Sequence, residues 1–165
     1  MTSSDDALLQ CLLTVCRFHG GGTTAAARNV ISKNYEGIEI NTANNVVQGN
    51  YVGTDAGGTL NRGNRTSDGV QLQGNASGNT IGGSAAGAGN LISGNANDGI
   101  EIDNNSTTGT LIRGNWIGVD ATGSAALANG RYGIVLFNGV SGTQIGAALA
   151  GAGNLISGNA NIGIA

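Results

Sequence analysis

The sequence predicts an all-β solenoid built of three short parallel sheets, and two observations carry that prediction. The first is a recurring segment: Asn29-Val-Ile-Ser-Lys-Asn34 followed by Gly37-Ile-Glu-Ile40, then Asn90-Leu-Ile-Ser-Gly-Asn95 followed by Gly99-Ile-Glu-Ile102, then Asn154-Leu-Ile-Ser-Gly-Asn159 followed by Gly163-Ile164. Self-similarity of this kind marks one supersecondary unit stacked on copies of itself, because a single unit cannot bury its apolar face alone. The second is composition. Thirty-one Gly with no Pro, 39% apolar and 4% aromatic residues describe brief strands joined by tight corners rather than an ordinary globule. The recurring Ile and Val positions give the chain something to bury, which argues against disorder.

Residues 1–19 match nothing in the repeat and read as a leader or N-terminal cap. Asp5 to Phe18 is either a short helical cap behind the N-cap candidates Ser3 and Ser4 or the product of a misplaced gene start. Ala7 to Cys16 has the apolar look of a signal-peptide core, but Asp5 and Asp6 stand where positive charge belongs and no clear cleavage site follows. The two cysteines, Cys11 and Cys16, make no disulfide framework. The repeat domain runs from 20 to 165, entering in mid-coil and ending inside another coil, so it reads as incomplete at both ends, with further coils of the same polypeptide expected beyond.

Aligned on the Gly-hydrophobic start, the coils cover 37–68, 69–98, 99–132 and 133–162, each of 30–34 residues, and a fifth begins at Gly163. The first strand of each coil alternates with period two, sending Ile38, Val70, Ile100, Ile134 and Ile40, Leu72, Ile102, Leu136 to one face. The second strand centres on Val47, Ile81, Ile112 and Ile145, and the third on Ile31, Val52, Ile92, Ile117 and Ile156. Three strands per coil, aligned column by column, make a three-sided rod. Residues 54–68 and 119–132 extend alternate coils as loops on one edge, and the Ala- and Gly-rich 83–89 and 147–153 form a second loop set between strands two and three.

Just before the third strand an asparagine recurs at Asn29, Asn50, Asn90, Asn115 and Asn154, with glycine ahead of it at 49, 89, 114 and 153. Coils stacked at ~4.8 Å let each carboxamide donate to the next, which predicts an asparagine ladder.

These residues carry a resemblance. Asn-Leu-Ile-Ser-Gly-Asn with Gly-Ile-Glu-Ile, and Gly114-Asn-Trp-Ile-Gly-Val-Asp-Ala-Thr-Gly123, resemble the repeats of right-handed parallel β-helix proteins, which are large bacterial extracellular and surface proteins. The resemblance covers about residues 20–165. It implies a right-handed parallel β-helix, the hand that parallel crossovers generally take, and an extracellular or cell-surface location.

Charge narrows the function. Ten acidic against seven basic residues, net −3 and without a Lys/Arg cluster, argue against nucleic acid as a partner, and no apolar run approaches the ~20 residues of a membrane span. The only histidine, His19, lies in the leader, so a Ser-His-Asp site on the rod has no base. Zinc, phosphate-loop and dinucleotide motifs are missing. Asn64, Asn75 and Asn105 open glycosylation sequons, which turn-rich repeats generate readily.

The outward positions of the first strand stack as Glu39, Gln71, Glu101 and Val135, beside Asn41, Gln73, Asp103 and Phe137. Glu101 and Asp103 share a face at ~7 Å by strand geometry, a separation that suits a glycoside hydrolase pair or a Ca²⁺ site. The bland reading is a solvated polar sheet; resemblance to β-helix polysaccharide lyases implies an Arg or Lys base near such acids, and Arg113 points outward from the second strand, another wall of the rod. Tyr51 and Trp116 occupy one column with Val30, Leu91 and Leu155, two coils or ~9.6 Å apart. They suit sugar-ring stacking, or else the edge loops cover them. Asp55 and Asp120 in those loops read as Asx-turn formers.

The reading that follows is a non-catalytic extracellular or surface segment, a stalk or adhesive surface, that needs no cofactor. Its partners would be polysaccharide or surface glycan. Two alternatives stand beside it: a fragment of a polysaccharide lyase, hydrolase or epimerase working through Glu101 and Asp103, and a glycan-binding module using Glu39, Gln71, Tyr51 and Trp116.

Overall fold

The structure, a computed structural model, describes residues 19–104 and 106–165, with only the backbone of His19 and Gly20. The cysteines, the expected cap and the Asn105 sequon lie outside the described residues. In chain order the strands are β1 (His19–Gly21), β2 (Val30–Ile31), β3 (Ile38–Ile40), β4 (Val46–Gln48), β5 (Tyr51–Val52), β6 (Val70–Leu72) and β7 (Thr80–Gly82). They continue with β8 (Leu91–Ile92), β9 (Ile100–Ile102), β10 (Leu111–Arg113), β11 (Trp116–Ile117), β12 (Ile134–Leu136), β13 (Gln144–Ile145) and β14 (Leu155–Ile156). A single 3-10 turn, Ala25–Ala27, joins β1 to β2.

Every strand pair is parallel and every neighbour lies one coil away. The sheet orders are β3-β6-β9-β12, β1-β4-β7-β10-β13 and β2-β5-β8-β11-β14. These are the three columns expected from the repeat, in the expected register: Ile38 opposite Val70, Val70 opposite Ile100, Ile100 opposite Ile134. The chain is a parallel β-helix. Its fifth coil continues the first sheet, since Ile164 bridges to Ile134. Strand β1 begins at His19, opposite Val46, so the solenoid takes in the last residue of the stretch that matched no repeat.

The core is the set of inward columns. Val47, Val52, Val70, Leu72, Ile81, Ile92, Ile100, Ile102, Ile112, Ile117 and Ile134 are fully buried, each such side chain contributing about 1.5–3 kcal/mol of transfer free energy. Ile31, Leu136, Ile145 and Ile156, in the first and last coils, pack against this core while only partly buried; Ile31, Ile145 and Ile156 stand on end strands of their sheets. Val135, expected to face outward, is buried as well.

Polar spines run between the apolar columns. The expected ladder is complete: Asn29 Nδ2 donates to Asn50 Oδ1 (2.9 Å), Asn50 to Asn90 (3.2 Å), Asn90 to Asn115 (2.9 Å) and Asn115 to Asn154 (3.0 Å). The second amide hydrogen is satisfied too, Asn90 donating to the Val47 carbonyl and Asn115 to that of Ile81. A second ladder, not anticipated from the sequence, links Asn34, Asn64, Asn95, Asn129 and Asn159 at 2.9–3.3 Å. Its members lie in the corner after the third strand and also bond back to carbonyls of that sheet, Asn129 to Ile92 at 3.0 Å. Asn45 donating to Asn79 (2.9 Å) begins a third column. There the next two coils carry Thr110 and Thr143, whose hydroxyls are buried without a partner.

The loops alternate with coil number. Coils 37–68 and 99–132 carry small hairpins closed by the antiparallel bridges Thr54–Asn61 and Val119–Ala126. The intervening coil and the last one carry the 83–89 and 147–153 loops, whose turns close from Ala88 N to Ala85 O and from Ala152 N to Leu149 O. As expected of Asx turns, Asp55 Oδ1 accepts from Thr59 and Leu60 amides, and Asp120 Oδ1 from Thr122, Ser124 and Ala125. The amides of Leu60 and Thr59 hold the Asp55 carboxyl below the usual range; at Asp120 the Thr122 hydroxyl leads, with the Ala125, Ser124 and Thr122 amides adding to it.

Candidate functional site

The outward face of the first sheet holds the carboxylates singled out in the sequence, and each is engaged by a carboxamide from an adjacent coil. Glu39 accepts from Gln73 and from Asn41. Gln71 donates to Glu101 at 2.7 Å, and Asn138 donates to Asp103, also at 2.7 Å. Glu101 and Asp103 are thus tied to different neighbours. Arg113 lies on the second sheet and donates to Gln144 there at 3.2 Å.

Glu101 has two acidic companions that spacing along one strand did not suggest. Asp68 and Asp98, each just ahead of a first-strand glycine, bring carboxylate oxygens within 4.8 Å of one another and of Glu101. The corner works like a ladder in which backbone amides donate: Asp98 N to Asp68 Oδ1 and Tyr132 N to Asp98 Oδ1, both 2.8 Å. Arg131 Nη1 stands 3.6 Å from Asp98 Oδ2. Among the described residues these three form a group whose oxygens lie close enough together to hold a metal ion.

Burial, opposed by the Asp98 amide and reinforced by the charges of Glu101 and Asp98, pushes the Asp68 carboxyl up to about 6. A folded-state value above the unfolded 3.8 means that the native protein binds the extra proton, so stability falls as pH rises from about 4 to above 6. At ~1.4 kcal/mol per unit the full effect is roughly 3 kcal/mol. Asp68→Asn keeps the acceptor for Asp98 N and removes the charge. It should match the parent near pH 4, exceed it by about 1–3 kcal/mol near pH 8, and flatten the pH profile of urea unfolding. A variant with the parent's slope would assign that slope to another group.

The second feature lies on the outer face of the third sheet. Tyr51, Leu91 and Trp116 stand in register on β5, β8 and β11. The edge hairpins do fold over this column. A Cβ at Gly58 would come within 2.8 Å of Tyr51 Cε2 and of Leu91 Cδ2, and Gly123 sits beside Trp116 and Leu155. Leu91 is consequently buried, yet Tyr51 is only half-buried and Trp116 keeps 39% of its surface exposed. What remains open is a recess of about 300 Å³ lined by Arg28, Tyr51, Leu91, Trp116 and Ala121, with backbone of Gly87, Gly89 and Gly114 along its other side. The Arg28 guanidinium lies over the Tyr51 ring at 3.9 Å. Arg28 was not picked out from the sequence, although the signal was there: it stands where the other four coils have glycine before the ladder asparagine.

Comparison with known proteins finds no matching family model, no similar curated protein and no similar solved structure. No helix among the described residues is long and apolar enough to cross a membrane.

Proposed function

We propose that the chain is a non-catalytic segment of an extracellular or cell-surface β-helix protein, serving as a stalk and an adhesive surface for glycans. The observation that carries this reading is the state of the first sheet. Glu39, Glu101 and Asp103 each accept a hydrogen bond from a carboxamide one coil away, so that face is a polar network stitched along the rod. A general acid–base pair needs carboxyl groups aimed at a substrate and matched in pKa to their task; these are aimed at Gln and Asn. The location rests on the resemblance of the repeats alone.

The test is incubation with a panel of neutral and acidic polysaccharides, assaying new reducing ends and, by affinity electrophoresis, retardation of the protein. Retardation without cleavage is the expected result. Cleavage that vanishes in the Glu101→Ala, Asp103→Ala double variant would make the enzyme reading correct instead.

A further inference from the structure

We infer that the recess between Arg28, Tyr51 and Trp116 binds an anionic saccharide, one whose ring carries a carboxylate. This deepens the adhesive-surface reading and rests on it.

Three observations point to that ligand class. First, Arg28 breaks the repeat. Glycine fills its column in the other four coils, at 49, 89, 114 and 153. Second, the cation is held but not neutralised. The guanidinium is fixed over Tyr51, its Nε is buried without a hydrogen-bond partner, and no carboxylate among the described residues pairs with it. Arg28 is the one charged residue lining the recess, in a chain whose net charge of −3 gives anions no general reason to approach. Third, the other walls suit a sugar. Trp116 offers an exposed aromatic surface, Leu91 an apolar floor, and the glycine backbones leave room for hydroxyl groups. A volume of about 300 Å³ lies at the small end of ligand sites, and the two-coil step from Tyr51 to Trp116, ~9.6 Å, suits two linked rings rather than one. A carboxylate at the Arg28 end would meet a planar fork of donors, while the neighbouring ring lies against Trp116.

Trp116 is the only tryptophan in the chain, so its emission reports on the recess directly. We would titrate the whole protein with a glucuronate-containing hyaluronan tetrasaccharide and, in parallel, with neutral chitotetraose. The expected result is a saturable change with the acidic sugar only, weakened at least tenfold by Arg28→Gly, which restores the glycine of the other coils, and weakened by added NaCl. Arg28→Lys, keeping charge without the fork, should fall between, and serves if the glycine variant loses its far-UV spectrum. Equal response to both sugars would overturn the anionic assignment and leave the adhesive surface standing. Silence toward both would overturn the assignment, and the polysaccharide panel then decides the broader reading separately. Unaltered affinity in a folded Arg28 variant would remove Arg28 from the site.

Discussion

Gly89→Ala should destabilise the protein by about 4 kcal/mol or more, while Gly153→Ala, in the same column two coils on, should change stability by no more than about 0.5 kcal/mol. The two glycines precede ladder asparagines in equivalent corners, and the repeat alone gives no reason to separate them. The structure does. A Cβ at Gly89 would stand 1.8 Å from the carbonyl oxygen of Gly114, an overlap with backbone that no side-chain rotation relieves, whereas at Gly153 nothing lies within 4 Å. Neither needs a left-handed backbone, so the contrast isolates close approach between coils from conformational preference. Urea unfolding of the two variants beside the parent checks it. Equal losses would mean that the column's glycines serve the turn itself, and that coils 69–98 and 99–132 do not approach as closely as described.

Asn115→Ala should cost about 3 kcal/mol, the upper part of the ~1–3 kcal/mol range for stranding a buried polar group. The side chain is fully buried. Its Oδ1 accepts from both the backbone amide and the carboxamide of Asn90, and its Nδ2 donates to the Ile81 carbonyl and to Asn154. Alanine leaves the Asn90 amides and the Ile81 carbonyl unpaired in a buried corner, while Asn154, half-buried, can turn toward solvent. Asn41→Ala on the exposed face, with no left-handed backbone to strain, should be nearly silent, and the comparison separates a buried ladder position from a surface one. A loss below about 0.5 kcal/mol at Asn115 would show that water reaches the corner.

The sequence reveals the scaffold far more fully than the site, for a physical reason. Inward positions such as Ile100 and Ile112 repeat because every coil must present the same shape to the next, and a one-residue shift would turn each strand inside out; that constraint is written as periodicity. The second ladder follows the same rule but is disguised. Asn34, Asn95 and Asn159 close the six-residue motif, whereas the edge hairpins separate Asn64 and Asn129 from their third strands, so alignment by sequence distance loses them. Asp68 and Asp98 were hidden differently. They sit one residue before the first-strand glycines, in a column that other coils fill with Glu36, Tyr132 and Ile162, and only the corner's curvature carries them to Glu101. Tyr51 and Trp116 were legible as a column. Arg28 was legible only as an exception to a column of glycines.

Two uninterrupted asparagine spines, not the apolar columns alone, hold the coils together. Hydrogen exchange of the side-chain amides in the parent protein, followed by nitrogen-edited NMR, reads this out. The carboxamide protons of Asn90, Asn115, Asn95 and Asn129 should be protected and exchange only through larger openings of the rod, while those of Asn41 and Asn138 exchange freely. Equally rapid exchange from all six would contradict the claim, placing water in the corners and leaving the apolar columns as the sole support of the fold.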